Sequence, residues 1–383
     1  MRSSLQIKIN VVLLLSLLTS LLTASITKAA EPAFETCTGQ IQNFCPNDKS
    51  PGAVVACLKK NETLLSLECK EEIKRFVRAL DQANEQAGRS LSVLGGLSSQ
   101  APPFPVISLE GIYVNGKPTA MDHRLNISLP VYQTAEDYLA ISMAGAVTNL
   151  DQAVDLGGGL MTPKEFSRAE IGTQYTHQLS GHRNWGARGS IGYATDHFSG
   201  KASDTIFNIT LQYGIPSATG GFWTWFLFLS NNSPLGNYIP FPGVAYFYKT
   251  EGFTALLGLP VISLQWTPNK ELAYSLSALG PAITAEAAYG QLQSLQYFTS
   301  ANWNNQSFIL EKRTDDKERL TIEDKKAAIG IRSFVFDKMK AEAKIGYAFD
   351  RRIYIGNGFR DMRRGSANID SDWFLSWSIK SAF

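Results

Sequence analysis

The last eleven residues, Trp373 to Phe383, constrain the fold most strongly. Their side chains alternate with period two, so one face of an extended strand is apolar and the other is mostly small or polar. The apolar face carries Trp373, Leu375, Trp377, Ile379 and Phe383. A tilted strand needs roughly 9 to 11 residues to cross a bilayer, so this segment has the length and pattern of a membrane-spanning strand.

The chain ends on the aromatic residue Phe383. In this respect the segment resembles the closing strand of bacterial outer-membrane β-barrels, which typically ends in phenylalanine. The resemblance implies a closed antiparallel barrel in the outer membrane. An edge strand of a soluble β-sandwich is the alternative interpretation.

The first 29 residues predict a secretory signal peptide. Arg2 and Lys8 precede an apolar run from Val11 to Leu22, and small residues follow up to Ala29. No later run reaches the roughly 18 apolar residues of a spanning helix, which excludes a helical membrane protein. The net charge of +2 gives no reason to expect a nucleic-acid partner.

Residues 30–94 are predicted to form a small helical module stapled by disulfides, because all 4 cysteines lie between Cys37 and Cys69. Apolar spacing indicates three helices. Cys37 and Cys45 would lie about 12 Å apart on one helix, too far to bond each other. Two pairings stay open: Cys37–Cys69 with Cys45–Cys57, or the crossed pairing. No C-x2-C pair is present, which disfavours a zinc site.

The cysteine spacing also carries a resemblance. Cys37-x7-Cys45-Pro46, then Cys57-Leu58-Lys59-Lys60-Asn61, then Leu65-Ser66-x-x-Cys69 is similar to the cysteine-rich repeat of the Golgi glycoprotein family, which also occurs singly in exported bacterial proteins. The resemblance implies a binding or spacer module without catalysis.

Residues 95–105, rich in Gly, Ser and Pro, predict a linker, and residues 106–383 predict the barrel. Alternating runs recur along the latter, separated by turn-rich pieces, as in an antiparallel meander. Examples of such runs are 125–131, 139–147, 169–179, 207–213, 283–289, 327–335 and 341–349. At roughly 20 to 24 residues per strand and connection, this length predicts about 12 strands, with a range of 10 to 14.

The expected topology places long loops outside the cell and short turns in the periplasm. The charged stretches 311–326 and 350–372 are predicted to be extracellular, and the turn Asp337-Lys338 periplasmic. The segments 258–269 and 280–286, with their Leu-Pro and Trp-Thr-Pro-Asn patterns, resemble a group of uncharacterised bacterial outer-membrane barrels. That resemblance implies a barrel and no known substrate.

The search for chemistry finds no catalytic constellation and no cofactor motif. The 4 histidines are His123, His177, His182 and His197. Two arrangements at one turn are conceivable: Ser180 with His182 as a nucleophile and its base, or His177 with His182 as metal ligands. Polar turn residues are the simpler interpretation. We therefore predict that the protein is not an enzyme and binds no metal or cofactor.

Arginines cluster near the last predicted loop. They are Arg351, Arg352, Arg360, Arg363 and Arg364. Guanidinium groups bind phosphate in bidentate geometry, which makes them candidates for lipopolysaccharide phosphates or for attracting anions to a pore mouth. A solvated loop balanced by neighbouring aspartates is the alternative.

The functional expectation is a pore or channel for small solutes in the bacterial outer membrane, with the cysteine module in the periplasm. The alternative is a non-conducting anchor or adhesin whose loops or module bind a partner. The expected partners are outer-membrane lipid, lipopolysaccharide and an unidentified small solute. The sequence specifies neither the solute nor the oligomeric state.

Overall fold

The structure is a computed structural model of the 383-residue chain. It describes residues 37–45, 57–58, 60–73, 104–134, 136–217, 221–233, 236–292, 294–336, 338–362 and 364–382. The predicted signal peptide, most of the predicted linker, Arg363 and Phe383 lie outside the described residues. The chain divides into two compact units, residues 1–84 and 85–383.

The first unit contains the cysteines. Helix α1 spans Thr38–Phe44, a 3-10 turn spans Glu62–Leu64, and residues 67–73 are helical. Ser66 caps this last helix by accepting a hydrogen bond from the Cys69 amide at 3.2 Å. The disulfides are Cys37–Cys69 and Cys45–Cys57, one of the two pairings that the sequence left open. With Leu58, Leu65 and Ile73 they form the small core of the unit.

The second unit is a single antiparallel β-sheet. Its strands are β1 (Val106–Val114), β2 (Ala120–Gln133), β3 (Asp137–Leu150), β4 (Glu165–Gln178), β5 (Asn184–Thr195), β6 (Thr205–Pro216), β7 (Phe222–Ser230), β8 (Phe241–Thr250), β9 (Phe253–Leu259), β10 (Val261–Trp266), β11 (Leu272–Leu279), β12 (Ala282–Gln291), β13 (Leu295–Phe308), β14 (Arg319–Phe336), β15 (Met339–Gly356), β16 (Gly365–Ile369) and β17 (Asp372–Ala382).

The sheet closes on itself because β17 pairs with both β15 and β1. Strands β16 and β17 share one register along β15 and form one strand interrupted at residues 370–371, so the barrel has 16 strands. The prediction of about 12 strands was wrong. It assumed uniform strand and connection lengths, whereas six short strands, β7 to β12, fit between Phe222 and Gln291.

Side chains alternate between lipid and interior along each strand. On β17, Trp373, Leu375 and Trp377 are 41%, 46% and 47% exposed on the outer face, whereas the inward Phe374 is 1% exposed. The indole of Trp377 lies against Gly111 of β1, where a Cβ atom would come within 2.4 Å of the ring nitrogen. A larger residue at position 111 would therefore require the Trp377 indole to shift.

The barrel has two rims. We call the edge where Val106 pairs with Ala382 the terminal rim, and the opposite edge the far rim. Outward aromatic residues gather near the terminal rim, including the contacting pairs Tyr175–Trp185, Trp223–Tyr246 and Trp266–Tyr274. Near the far rim, Tyr113 contacts Trp373 and Tyr193 contacts Phe198. Two aromatic girdles that flank an apolar band are typical of transmembrane barrels.

The connections at the terminal rim have five residues or fewer, whereas the far rim has all the connections longer than five residues and also short ones such as β9–β10 and β11–β12. The predicted turn Asp337-Lys338 includes Asp337, which lies outside the described residues; β14 ends at Phe336 and β15 begins at Met339, both at the terminal rim. Two predicted loops were too long: β14 already begins at Arg319, and β15 continues to Gly356. No described helix is both long and apolar enough to span a membrane.

Candidate functional site in the barrel interior

The inward faces of the strands include two unlike stretches, and β4 and β5 carry the further inward ionisable residues Arg168, Glu170 and Arg188. We call the ionisable inward face of β12, β14, β15, β17, β1 and β2 the charged wall. It carries Glu286, Asp324, Lys326, Arg332, Lys340, Glu342, Lys344, Lys380, Glu110, Asp122 and Arg124. We call the inward face of β7 to β11, apart from Lys249 at the terminal-rim end of β8, the neutral wall. It carries Thr224, Phe226, Ala245, Phe247, Leu256, Val261, Ser263, Ser277 and Leu279.

Arg332 is the centre of one ionic cluster on the charged wall. Its side chain is 3% exposed and donates to both carboxylate oxygens of Glu286, at 3.0 and 2.6 Å. Its Nε donates to Gln296 Oε1 at 2.7 Å, and Glu342 lies 3.7 Å away. Four strands, β12 to β15, are thereby joined on their inner side. A buried guanidinium with two carboxylates and an amide is satisfied in charge and in hydrogen bonds.

A second cluster reaches across the interior. Asp122 on β2 accepts hydrogen bonds from Arg124 at 2.5 Å and from the Thr148 hydroxyl at 3.1 Å. It also accepts from Gln306 Nε2 at 3.4 Å. Gln306 lies on β13, which is not a neighbour of β2 in the sheet. Contacts between non-adjacent strands mean that side chains narrow the interior at this level.

Apolar side chains from opposite sides of the ring meet inside the barrel near the far rim. The buried cluster, which we call the apolar cap, consists of Leu150, Leu156, Phe166, Ala194, Ile206, Phe308, Ile309, Leu310, Leu320, Ile353, Ile355 and Ile369. The rings of Phe166 on β4 and Phe308 on β13 are 4.9 Å apart. The Ile309 amide donates to the Ala194 carbonyl at 2.7 Å. Seven strands separate β5 from β13 on either side of the ring, so this bond joins opposite walls.

A β-bulge supplies part of the cap. The register between β14 and β15 shifts between Glu323 and Lys325, and Asp350 has a positive φ of 46°. One extra residue in a strand exchanges its two faces. Ile345 below the bulge is 51% exposed to lipid, whereas Ile353 above it is fully buried in the cap.

Polar contacts between far-rim loops surround the cap. Arg313 Nη1 donates to Asp204 at 3.1 Å, and its Nη2 donates to the Ser203 carbonyl at 3.1 Å. Burial raises the pKa of Asp204, but hydrogen bonds from Ser199 and Arg313 outweigh it and leave the pKa below its ordinary value. Asp204 is therefore held as a carboxylate that ties the loop 196–204 to the loop 309–318.

The structure separates the predicted arginine cluster. Arg351 points inward, is 5% exposed, and donates to the Asp370 carbonyl at 3.0 Å. The other described arginines of the set are paired: Arg352 with Asp350 at 2.9 Å, Arg360 with Glu323 at 2.8 Å, and Arg364 with Glu318 at 2.7 Å. The hydrogen bond to Glu323 raises the pKa of Arg360. Their role in anion binding stays a prediction.

The histidines are not gathered into a site. His177 lies on the outer face near the terminal rim, 2.8 Å from Asp137, and His123 is exposed on the outer face of β2. His182 follows Ser180 in a 3-10 turn. Among the residues that the structure describes, no three His, Cys, Asp or Glu side chains are placed to hold a metal ion.

Sequence reasoning missed the ionic clusters and the cap. Alternation alone predicts that Arg332 and Glu286 lie on the polar faces of their strands. It does not predict their contact, because the sequence does not show which strands pair. The apolar segment Phe308-Ile309-Leu310 was the available signal for the cap, because three consecutive apolar residues cannot all face lipid on one strand.

No family model matches this chain, and no curated protein matches it. Solved structures do align with it. An outer-membrane channel from Pseudomonas putida F1 aligns at 7% identity over 75% of this chain and 98% of that chain, with a TM-score of 0.33. The toluene transporter TodX of Pseudomonas putida aligns at 8% identity over 75% and 92%, TM-score 0.33. The translocator domain of the autotransporter NalP of Neisseria meningitidis aligns at 11% identity over 81% and 98%, TM-score 0.27. The activity of the present chain therefore has to be argued from its own residues.

Proposed function

We propose that the protein is an outer-membrane channel for small amphipathic solutes, closed at its far end in this conformation. The observation that carries the proposal is the division of the interior into a charged wall and a neutral wall. A solute with a charged group and an apolar body would find complementary surfaces on opposite sides of such an interior.

The size of the barrel supports passage. Barrels of about 8 strands are filled by their own side chains, whereas those of 16 to 18 strands enclose an aqueous channel. This barrel has 16 strands. Its inward charges are also numerous, and buried charges are costly unless they are paired or hydrated. The apolar cap is then a gate that separates when the channel opens.

Ion selectivity tests the proposal. Arg188 points inward from β5 and is exposed to the interior. In planar bilayers with a KCl gradient, Arg188→Glu should shift the reversal potential toward cation preference, because it changes the sign of a charge beside the ion path. Lys201→Glu, the same change in a far-rim loop, is the control and should shift it less. Equal reversal potentials for Arg188→Glu and the wild type would mean that ions do not pass beside Arg188, and absence of conductance in both would contradict the channel.

A non-conducting anchor or adhesin is the second candidate. The closed cap and the cross-linked loops favour it, because they form a folded surface at one end of the barrel. Absence of conductance in the wild type, in Phe308→Ala and in a chain lacking residues 31–95 would support this candidate. The same deletion tests whether the cysteine module, which we place in the periplasm, obstructs the channel.

We also retain lipopolysaccharide as a partner. Arg352, Arg360 and Arg364 lie outside the barrel interior. Each guanidinium has more N–H groups than its ion pair uses, so it can donate further hydrogen bonds. Replacing all three with glutamine should weaken retention of lipopolysaccharide during purification. Unchanged retention would remove this partner.

A further inference from the structure

Measured along the barrel axis from the terminal rim, the far rim is much closer on one side of the barrel than on the other. Strands β9, β10 and β11 have 7, 6 and 8 residues, whereas β14 and β15 have 18 each. A strand rises about 3.3 Å per residue and tilts by roughly 35–45°, so 7 residues climb roughly 16–19 Å. The apolar band of an outer-membrane barrel is about 25 Å tall. The β9–β10 hairpin therefore ends before it has crossed the hydrocarbon layer. We call the turns Leu259-Pro260 and Gly280-Pro281 the low rim.

The chemistry of these two turns agrees with a position in lipid. Hairpin turns exposed to water are normally built from Gly, Asn, Asp and Ser. Here the β9–β10 turn is Leu259-Pro260, with Leu259 76% exposed, and the β11–β12 turn is Gly280-Pro281. By contrast, the far-rim loop 196–204 reads Asp-His-Phe-Ser-Gly-Lys-Ala-Ser-Asp.

Backbone hydrogen bonding at the low rim points the same way. In hydrocarbon, each unpaired backbone N–H costs several kcal/mol. Each turn contains a proline, which has no N–H to leave unpaired. The Gly280 amide donates to the Pro260 carbonyl at 3.3 Å, so one turn pairs a backbone N–H of the other.

The outer face supplies a third observation. Near the far rim elsewhere, Tyr113, Trp373 and Tyr193 form the second aromatic girdle. At the low rim the outward residues are aliphatic: Leu257, Leu259, Ile262 and Ile283 are all exposed. Aromatic side chains mark the level of the membrane interface. Their replacement by leucine and isoleucine indicates that these strands end below that level.

The inner side of the low rim is apolar as well. Phe226, Ala245, Leu256 and Val261 form a buried cluster on the neutral wall, and Leu279 packs against it. Apolar surface thus continues from the interior, over the two turns, to the lipid-facing side. Elsewhere the lipid and the interior are separated by taller strands.

We propose that the low rim is a lateral opening, through which the acyl chain or other apolar tail of an amphipathic solute passes between the barrel interior and the surrounding leaflet. This inference rests on the proposed channel function, and it specifies the solute as one with a hydrocarbon tail. The neutral wall holds the tail, and the charged wall faces the polar group.

The first test measures depth. The 4 cysteines of the chain are all in disulfides, so an introduced thiol can be labelled selectively. A nitroxide at Leu259→Cys in proteoliposomes should collide with oxygen dissolved in the bilayer and be protected from a water-soluble nickel chelate. The same label at Lys312→Cys, in the far-rim loop 309–318, should behave in the opposite way. Equal nickel accessibility at both positions would overturn the inference.

The second test asks whether an acyl chain enters. Proteoliposomes that contain phosphatidylcholine with a diazirine on its acyl chain are irradiated, and cross-linked residues are mapped by mass spectrometry. Cross-links should appear on the inward, partly buried residues Phe247 and Leu279 as well as on the outward Leu257. Leu279→Glu should reduce the inward cross-links about tenfold, because a charge is costly in contact with hydrocarbon. Ser275→Glu, on the same inward face of β11 but nearer the terminal rim, is the matched control.

Cross-links confined to outward residues such as Leu257 and Ile262 would overturn the lateral opening. Neither test requires current through the barrel. A protein that shows inward cross-links but no conductance would contradict the proposed channel while supporting entry of lipid. A conducting protein without inward cross-links would contradict only the lateral opening.

Discussion

The apolar cap can be tested by removing one buried ring. Phe308 is 3% exposed and contacts Phe166, which is fully buried, across the interior. Replacing a buried phenylalanine by alanine costs about 3–5 kcal/mol, because transfer free energy is lost and a cavity is left. If the cap separates on opening, Phe308→Ala destabilises the closed form and leaves the open form nearly unchanged.

The magnitude follows from the same numbers. Each 1.4 kcal/mol is about tenfold in an equilibrium constant, so the closed-to-open ratio should fall by roughly a hundredfold or more. The assay is the open probability of single channels in planar bilayers. Phe298→Ala is the matched control, since Phe298 is also buried and inward on β13 but lies toward the terminal rim.

Two results would refute this reasoning. If Phe308→Ala leaves the open probability unchanged, the cap is not a gate. A heat-dependent shift in electrophoretic mobility would show that the variant barrel is still folded. An equal increase in Phe298→Ala would mean that any loss of packing on β13 opens the barrel. In either case the cap would be a structural core and not a moving part.

Three further predictions follow from particular contacts. Arg332→Met should lower the free energy of unfolding by about 3–5 kcal/mol in urea titrations, because it leaves Glu286 without its partner in the interior. The double variant Arg332→Met with Glu286→Gln should recover part of this loss. If it recovers none, the loss does not come from an unpaired charge. The pKa of Asp204 lies below its ordinary value of 3.8, so its carboxylate stabilises the cap above that pH and the contribution is lost as pH falls through the lowered pKa. Open probability should therefore rise on acidification below pH 3.8 in the wild type and change less in Asp204→Asn, and identical pH profiles would dismiss the role of Asp204. Removing the Cys37–Cys69 bond, with a sequence separation of 32, should destabilise the cysteine unit more than removing Cys45–Cys57, with a separation of 12, as measured by limited proteolysis. Chain entropy predicts losses of roughly 3.7 and 2.9 kcal/mol, respectively. The reverse order of stability would contradict the entropic explanation.

Much of the barrel could be predicted because alternation is local. On β17 the pattern of Trp373, Leu375 and Trp377 against Ser376 identified the lipid face, and these tryptophans lie on the outside of the barrel. The cysteines likewise indicated a stapled module, and the separation of Cys37 from Cys45 along one helix limited the pairings. Such inferences need only the geometry of one strand or one helix.

The interior could not be predicted in the same way. Whether Arg332 meets Glu286, or Gln306 meets Asp122, depends on which strands are neighbours and on the size of the ring. The bulge at Asp350 exchanges the faces of β15, so Ile353 enters the cap although the pattern below the bulge would place it in lipid. A strand count taken from average lengths also failed where β9 and β10 are short.

The sequence by itself determined that this chain has a cysteine-stapled segment followed by strands with one apolar face, because cysteine spacing and period-two alternation are local properties of consecutive residues. The signal peptide stays a prediction. Only the tertiary structure decided the number of strands, the closure of β17 onto β1, the apolar cap and the low rim. These features depend on the register between paired strands and on the number of strands that close the barrel. Both are set by contacts between residues far apart in sequence, which no local pattern specifies.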